Sequence, residues 1–380
     1  MLLPIALSLL LAPACAPKVT PERRALQAPP PVSTAAPAPI ASTPAPQAHP
    51  WPLHRRVAEG PGVLVRPTVR WRTRLGGPVT LPLTVGDTGV WAVTAGVVSL
   101  LSATGTVEVA APVQATTAVS MASDGPVVGA GDGALLALSP STGKVTLAWP
   151  GSARARGAAV PLGGGLAWAT SDGVIRSTLH DELGRVLTVT ADPSSDGARA
   201  FFQTQSGALV AMAEDGSRWQ APMPGPGLGA PVVGDGVVFA AWDGSQGRPG
   251  GLMAVEAATG RGLWETQLSS PPAAGMALAP GLLLVPLADG ELLALDPATG
   301  QELWSVRLGP DPLTGAPLLA GRSAWVGDAG GGLHRVDLDD GGVAWSLDLG
   351  AATTSGPELA WGLLVVGLAS GEVVAIGEGP

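Results

Sequence analysis

From residue 69 onward, short apolar runs alternate with breaks rich in Gly, Pro and Asp. No stretch sustains the 3.6-residue apolar period of an amphipathic helix, so the runs predict strands. Pro231-Val232-Val233 and Val237-Val238-Phe239 are typical, parted by Gly234-Asp235-Gly236. An Asp-Gly step between two β-rich runs predicts a hairpin. The runs come in sets of four, and the sets repeat. GELLALDPATGQELWSVRL starts at Gly290 and GLMAVEAATGRGLWETQL at Gly251. Weaker copies open at Gly96, Gly133, Gly173, Gly207, Gly332 and Gly371, so that successive opening glycines lie 34 to 44 residues apart. Four short antiparallel strands at a period near forty predict a propeller blade.

Each copy carries a turn after its third strand, with Thr-Gly in the best cases: Thr104-Gly105, Thr142-Gly143, Thr259-Gly260 and Thr299-Gly300. Glycine suits such a turn because it reaches positive φ without penalty. Trp264, Trp304 and Trp345 follow the turn by four residues, and Trp149 and Trp219 hold looser versions of the place. Trp91, Trp168 and Trp325 recur at a second position. Recurrence at one blade position predicts packing. The eighth copy ends at Pro380 without its Trp strand, and a spare one lies ahead of the first copy, where residues 71–76 (WRTRLG) match residues 304–309 (WSVRLG) in spacing. The expected fold is therefore all-β: an eight-bladed propeller of four-stranded blades, closed into a ring by an N-terminal strand that carries Trp71. Closure would pair strand edges otherwise left open.

Composition adds three facts. Fifty-four Gly and 38 Pro fit many short strands and turns. A net charge of −9 argues against nucleic acid, whose binding rests on Lys and Arg neutralising phosphates. The basic exception is Arg55, Arg56, Arg66, Arg70, Arg72 and Arg74. It reads as a solvated approach segment, or alternatively as a contact for anionic lipid or an acidic partner.

The N-terminus differs in character. Residues 2–14 (LLPIALSLLLAPA) are too short to span a bilayer and suit the apolar region of a secretory signal. Cys15, the only cysteine, follows directly. Ala12-Pro13-Ala14-Cys15 resembles a bacterial lipobox, which implies lipidation at Cys15; an ordinary cleaved signal with an incidental cysteine is the alternative. By the same resemblance, Ala16 in place of Asp implies the outer membrane, facing the periplasm. Residues 16–68 alternate Pro with Ala, Ser and Thr and bury too little apolar surface to fold, so they are expected to form an extended tether. The expected organisation is residues 1–15 as a lipoprotein-type signal with its cysteine, 16–68 as the tether and 69–380 as the propeller.

The opening Gly, the run Ala294-Leu295-Asp296, Thr299-Gly300 and Trp304 resemble the PQQ-like propeller repeat of quinoprotein dehydrogenases and of BamB-type lipoproteins. The resemblance covers residues 69–380. It implies that Trp71, Trp149, Trp219, Trp264, Trp304 and Trp345 dock blade against blade. It leaves two functions. One is a non-enzymatic, lipid-anchored envelope scaffold, monomeric, whose partners are envelope proteins such as the outer-membrane β-barrel assembly machinery. The other is a propeller binding PQQ or another small ligand, as a sensor or degenerate dehydrogenase.

The residues favour the first. A quinoprotein calcium site needs six to eight oxygens, and this chain has no Asn and no cysteine beyond Cys15. Asp87, Asp132, Asp172, Asp235, Asp289 and Asp328 adjoin or lie near glycines in expected turns, where Asp serves the turn itself. His49 and His54 fall in the tether, and His180 and His334 in separate blades, without metal-ligand spacing. The expectation is no catalytic, cofactor or metal residue, and no cofactor.

Overall fold

The structure is a computed structural model that describes residues 57–58, 64–244 and 250–379. Each set of four apolar runs forms one antiparallel sheet, with its strands in sequence order from one edge to the other. Blade 1 comprises Thr84–Gly86, Gly89–Thr94, Val97–Leu101 and Val107–Ala111, and blade 6 comprises Ala277–Ala279, Leu282–Pro286, Glu291–Leu295 and Glu302–Arg307; blades 2, 3, 4, 5 and 7 span residues 120–149, 155–185, 194–222, 227–267 and 313–348, and blade 8 spans 358–378 with its fourth strand from the N-terminal side. Eight such sheets make an eight-bladed β-propeller, and the described residues contain no helix. First strands of neighbouring blades contact one another, so the first strands line the axis and the fourth strands form the rim.

The strand pattern explains the core. Both faces of a blade pack on neighbours, so the middle strands are apolar on both sides; Leu282–Pro286 is buried at every position. The rim strands alternate instead, as in Glu302–Arg307, where only Trp304 and Val306 are sheltered. The core is divided into eight apolar clusters, one for each pair of adjacent blades. Phe239, Leu252, Leu283 and Val285 lie between blades 5 and 6, and Leu292, Leu319, Val326 and Val336 between blades 6 and 7. Each fully buried Leu, Val or Phe contributes about 1.5–3 kcal/mol.

Closure is as the spare strand predicts. Pro67–Arg74 pairs antiparallel with Glu372–Glu378, in register from Pro67↔Glu378 to Arg74↔Glu372, and supplies the fourth strand of blade 8. Arg72 and Arg74 both reach Glu372, at 3.5 and 3.6 Å, which accounts for two of the clustered arginines as rim ion pairs. Just upstream, the Glu378 carboxylate accepts from the N–H groups of Val65 (2.7 Å) and Arg66 (3.1 Å). Val57–Ala58 adds in parallel to the first strand of blade 7, at Leu319 and Ala320. Cys15, the signal segment, and the rest of the tether before residue 64 lie outside the described residues.

Deleting residues 69–77 removes the closing strand and exposes both edges of the break. The expected result is loss of a cooperative thermal transition by circular dichroism; a truncated chain that melts like the full one would contradict the closure energetics.

Candidate functional site

The rim tryptophans are placed by one register. In blade 6 Trp304 stands opposite Ala294, after a bulge that lets Leu295 pair with Glu302. Trp264 opposite Ala254, Trp219 opposite Ala211, and Trp71 opposite Ala375 occupy the same place. Each indole leans on the next blade. The Trp304 Nε1–H donates to the Leu338 carbonyl (3.1 Å), Trp264 to Pro297 (2.9 Å), Trp219 to Ala257 (3.0 Å) and Trp71 to Ala103 (2.9 Å). The indole face covers the turn glycine of that same corner. A Cβ on Gly300 would lie 2.6 Å from the Trp264 ring, and one on Gly341 would lie 2.7 Å from Trp304. Gly300 has φ of 71°. It is thus required twice, for the turn and for the close approach. Trp219 and Trp264 also sit 6.0 and 5.9 Å from Phe201 and Phe239, in tilted pairs.

Trp345 meets a different partner. It stands opposite Arg335, where the other four have Ala. Its Nε1–H and the Arg335 guanidinium both donate to the Leu64 carbonyl, at 2.7 and 3.3 Å. Blade 8 has no corner here because its fourth strand comes from the N-terminus, and the incoming chain supplies the missing acceptor.

Trp149 stands opposite Leu135, two residues beyond the docking register, which Leu147 occupies opposite Ala137. Counting four residues from Gly143, as in the regular copies, lands on Leu147 and would have found this. Blade 1 has Val109 at the same register, against Gly143. Blade 3 ends in a two-residue strand, Gly184–Arg185. Blades 1 to 3 therefore lack the tryptophan that the other five carry.

The seam between blades 2 and 3 is the thinnest. Six buried residues form its cluster (Val127, Leu135, Ala155, Ala159, Leu166 and Trp168), against thirteen between blades 5 and 6. Outside it lies an open groove of about 700 Å³, walled by Trp149, Pro150 and Trp168 and by the corner Thr178–Glu182 of blade 3. Val145, Leu147 and Leu179 are exposed by 46, 53 and 50% around this seam. Val145–Trp149 is also a rim strand without a charged residue, whereas natural edge strands are usually guarded by charge.

The remaining candidates are dispersed. His180 lies in the corner of blade 3 and His334 in the third strand of blade 7. Asp132 accepts from the Ala134 N–H and Asp289 pairs with Arg307. Hydrogen bonds from Thr170 and then Ser152 hold the Asp172 carboxyl below its usual range. Asp328 does more than serve a turn: its Oδ2 lies 2.8 Å from His334 Nε2. Sequence reasoning missed that contact. Its signal was a His inside the run Leu333-His334-Arg335-Val336, where the sister copy reads Leu292-Leu293-Ala294-Leu295.

Along the axis, Gly157, Gly229 and Gly315 bulge the first strands, and a Cβ on Gly229 would come 2.9 Å from the Ala274 carbonyl oxygen of the next blade. Asp192 and Glu358 bring carboxylates to this lining. Asp192 accepts from the Ala158 N–H, and burial pushes its carboxyl up; Glu358 is buried and engaged. Among the described residues no three His, Cys, Asp or Glu side chains are grouped to hold a metal. This lining does not fit a quinone–calcium centre.

The fold and its docking register define an eight-bladed propeller of the PQQ-like class. The family model PQQ_2, outer membrane protein assembly factor BamB, matches residues 157–267 and 248–378, which together exceed half of the 380-residue chain. The chain belongs to this family. The crystal structure of BamB from Moraxella catarrhalis is similar, with a TM-score of 0.66 and 22% identity over 82% of this chain and 97% of that one. The computationally designed Ika8 protein is also similar, with a TM-score of 0.68 and 16% identity over 86% and 99% of the two chains. At these identities the likeness is one of fold. No curated protein sequence matches the chain.

Trp304→Ala is expected to cost about 3 kcal/mol, the lower end for truncating a large aromatic because this one is only partly buried. Gly300→Ala is also expected to destabilise, since its Cβ meets the Trp264 ring, whereas Gly262→Ala, with open space around it, leaves the melt unchanged. Urea unfolding of the three variants checks this, and equal midpoints would refute the docking energetics.

Proposed function

We propose that this protein is a BamB-like scaffold of the bacterial envelope, working by protein recognition and without quinone-dependent oxidation. The observation that carries this is its membership of the BamB family, matched across blades 3 to 8. The Moraxella catarrhalis BamB fold adds support. In this reading, Cys15 carries the lipid, the residues from 16 up to the Val57–Ala58 pairing form the tether, shorter than the sequence suggests because residues 64–68 belong to the ring, and the propeller is a monomer facing the periplasm from the outer membrane. Its partners are envelope proteins, the outer-membrane β-barrel assembly machinery among them.

The seam between blades 2 and 3 is the surface best suited to such a partner. A regular blade corner would cover Leu147; here the short blade 3 leaves it 53% exposed, beside a groove with apolar walls and a rim of His180, Asp181 and Glu182. Apolar side chains gathered at one place on a soluble face mark an interaction surface.

A photo-crosslinker at position 147, in native envelopes, is expected to capture barrel-assembly proteins, while one at Leu263 on blade 5 captures far less. Absence of those proteins from both positions would overturn the assembly reading. Feeding cells radioactive palmitate is expected to label the chain through Cys15; label retained in Cys15→Ala would refute the anchor.

A further inference from the structure

Blade 7 holds a side-chain arrangement that the repeat does not call for. Asp328 ends the second strand, Ser323–Asp328, and His334 lies in the third, Gly332–Asp337. They are only 6 and 5% exposed. The same backbone turn in blades 6 and 8 places Leu287 and Leu368 where blade 7 has Asp328. Cross-strand pairing places Leu293 and Val374 where it has His334. Burying an acid and an imidazole at two hydrocarbon positions is costly unless both are fully bonded.

Here they are bonded in series. Asp328 Oδ1 accepts from the Gly332 N–H at 2.7 Å, which fixes the carboxylate, and its Oδ2 lies 2.8 Å from His334 Nε2. With the carboxylate as acceptor, Nε2 carries the proton and Nδ1 is left with its lone pair. His334 Nδ1 lies 2.8 Å from Ser346 Oγ, so the serine hydroxyl donates to it. Ser346 is exposed on the rim strand Val343–Asp348. A buried carboxylate, an imidazole and an exposed hydroxyl thus form one chain of hydrogen bonds, the logic by which a serine is activated.

The main chain offers the remaining element. The Leu349 N–H donates to the Gly331 carbonyl at 2.8 Å, which makes 331/349 a hydrogen-bonded pair of the ladder. Antiparallel pairs alternate, so His334/Ser346 is a non-bonded pair. The Ser346 N–H therefore points out from the free rim, beside its own Oγ, where it can receive a developing oxyanion. His334 shares its blade face with Val326 and Val336, which pack with Val306 and Leu308 of blade 6. Val326 and Val336 are wholly buried, so the partly buried Val306 and Leu308 are the hydrocarbon an acyl group on Ser346 would meet.

We propose that Ser346 is the nucleophile of an acyl-transfer site for esters with an apolar acyl group, with His334 as general base and Asp328 positioning it. This goes beyond the scaffold reading and stands or falls apart from it. Ser346 Oγ bonds to the acyl carbon while its proton passes to His334 Nδ1, and the ester C–O bond breaks as that proton passes to the departing alkoxide. Water then attacks the acyl-serine, giving its proton to His334. The carboxylic acid leaves as Ser346 Oγ recovers that proton.

The repeat supplies its own control. Ser305 of blade 6 holds the position of Ser346, but opposite it lies Leu293 in place of a histidine. The purified full chain is treated with a fluorescent fluorophosphonate and, separately, with p-nitrophenyl butyrate. Labelling is expected at Ser346 by peptide mapping, lost in Ser346→Ala and unchanged in Ser305→Ala. His334→Gln and Asp328→Asn are expected to slow it by about 100-fold or more. Ser346→Ala leaves the buried His334 Nδ1 without its partner and is expected to melt a few degrees below the parent but to fold, which keeps the test valid if the buried variants fail to fold. No label on the folded parent chain would overturn the proposal, as would equal labelling of Ser346→Ala or a folded His334→Gln variant that reacts at the parent rate.

Discussion

An indole laid across a glycine turn, with its N–H on a carbonyl of the same corner, is the contact on which the ring depends. It fixes two things together. The glycine must lack a Cβ, and the corner must present a carbonyl outward. Where both hold, from blade 4 through blade 7 and again from blade 8 to blade 1, the rim strands alternate in the same way over clusters of ten to thirteen buried residues. Because each blade contacts only its neighbours, stability is the sum of such seams, and one weak seam does not propagate.

Blades 1 to 3 are built without that contact. Val109 reaches the next corner with a smaller side chain. Leu147 is left 53% exposed, and blade 3 contracts its last strand to two residues. The ring still closes there, on six buried residues. A closed fold with a thin sector has a place where local opening is least expensive, and that place coincides with the apolar groove proposed for a partner.

How much of this was legible in the sequence depends on the range over which each feature is written. The turn glycine, the tryptophan four residues later and the near-forty period are local and repeated, so Thr299-Gly300 and Trp304 disclosed their places, and the unpaired eighth copy pointed to residues 71–76. Trp149 misled because its residue type matched while its count did not: a register, not an identity, decides where an indole lands. Asp328, His334 and Ser346 were beyond reach for another reason. They lie on three successive strands of one blade, and the bonds joining them run across the sheet, perpendicular to the chain. The visible trace was a histidine in an apolar run. The Leu64 carbonyl was hidden likewise, since its partners Arg335 and Trp345 are 271 and 281 residues away.

The way the chain enters the ring has a mechanical meaning. Residues 64 to 66 are held by Trp345, Arg335 and the Glu378 carboxylate before the closing strand begins. Any tension arriving from the N-terminal side loads the Val57–Ala58 pairing on blade 7 first, then these bonds, and reaches the Pro67–Arg74 seam only after both yield. A propeller hung by its N-terminus would otherwise carry its whole drag on the one strand that keeps it shut. Blade 7, by gripping the chain ahead of the seam, works as strain relief, as a clamp does for a cable at its socket.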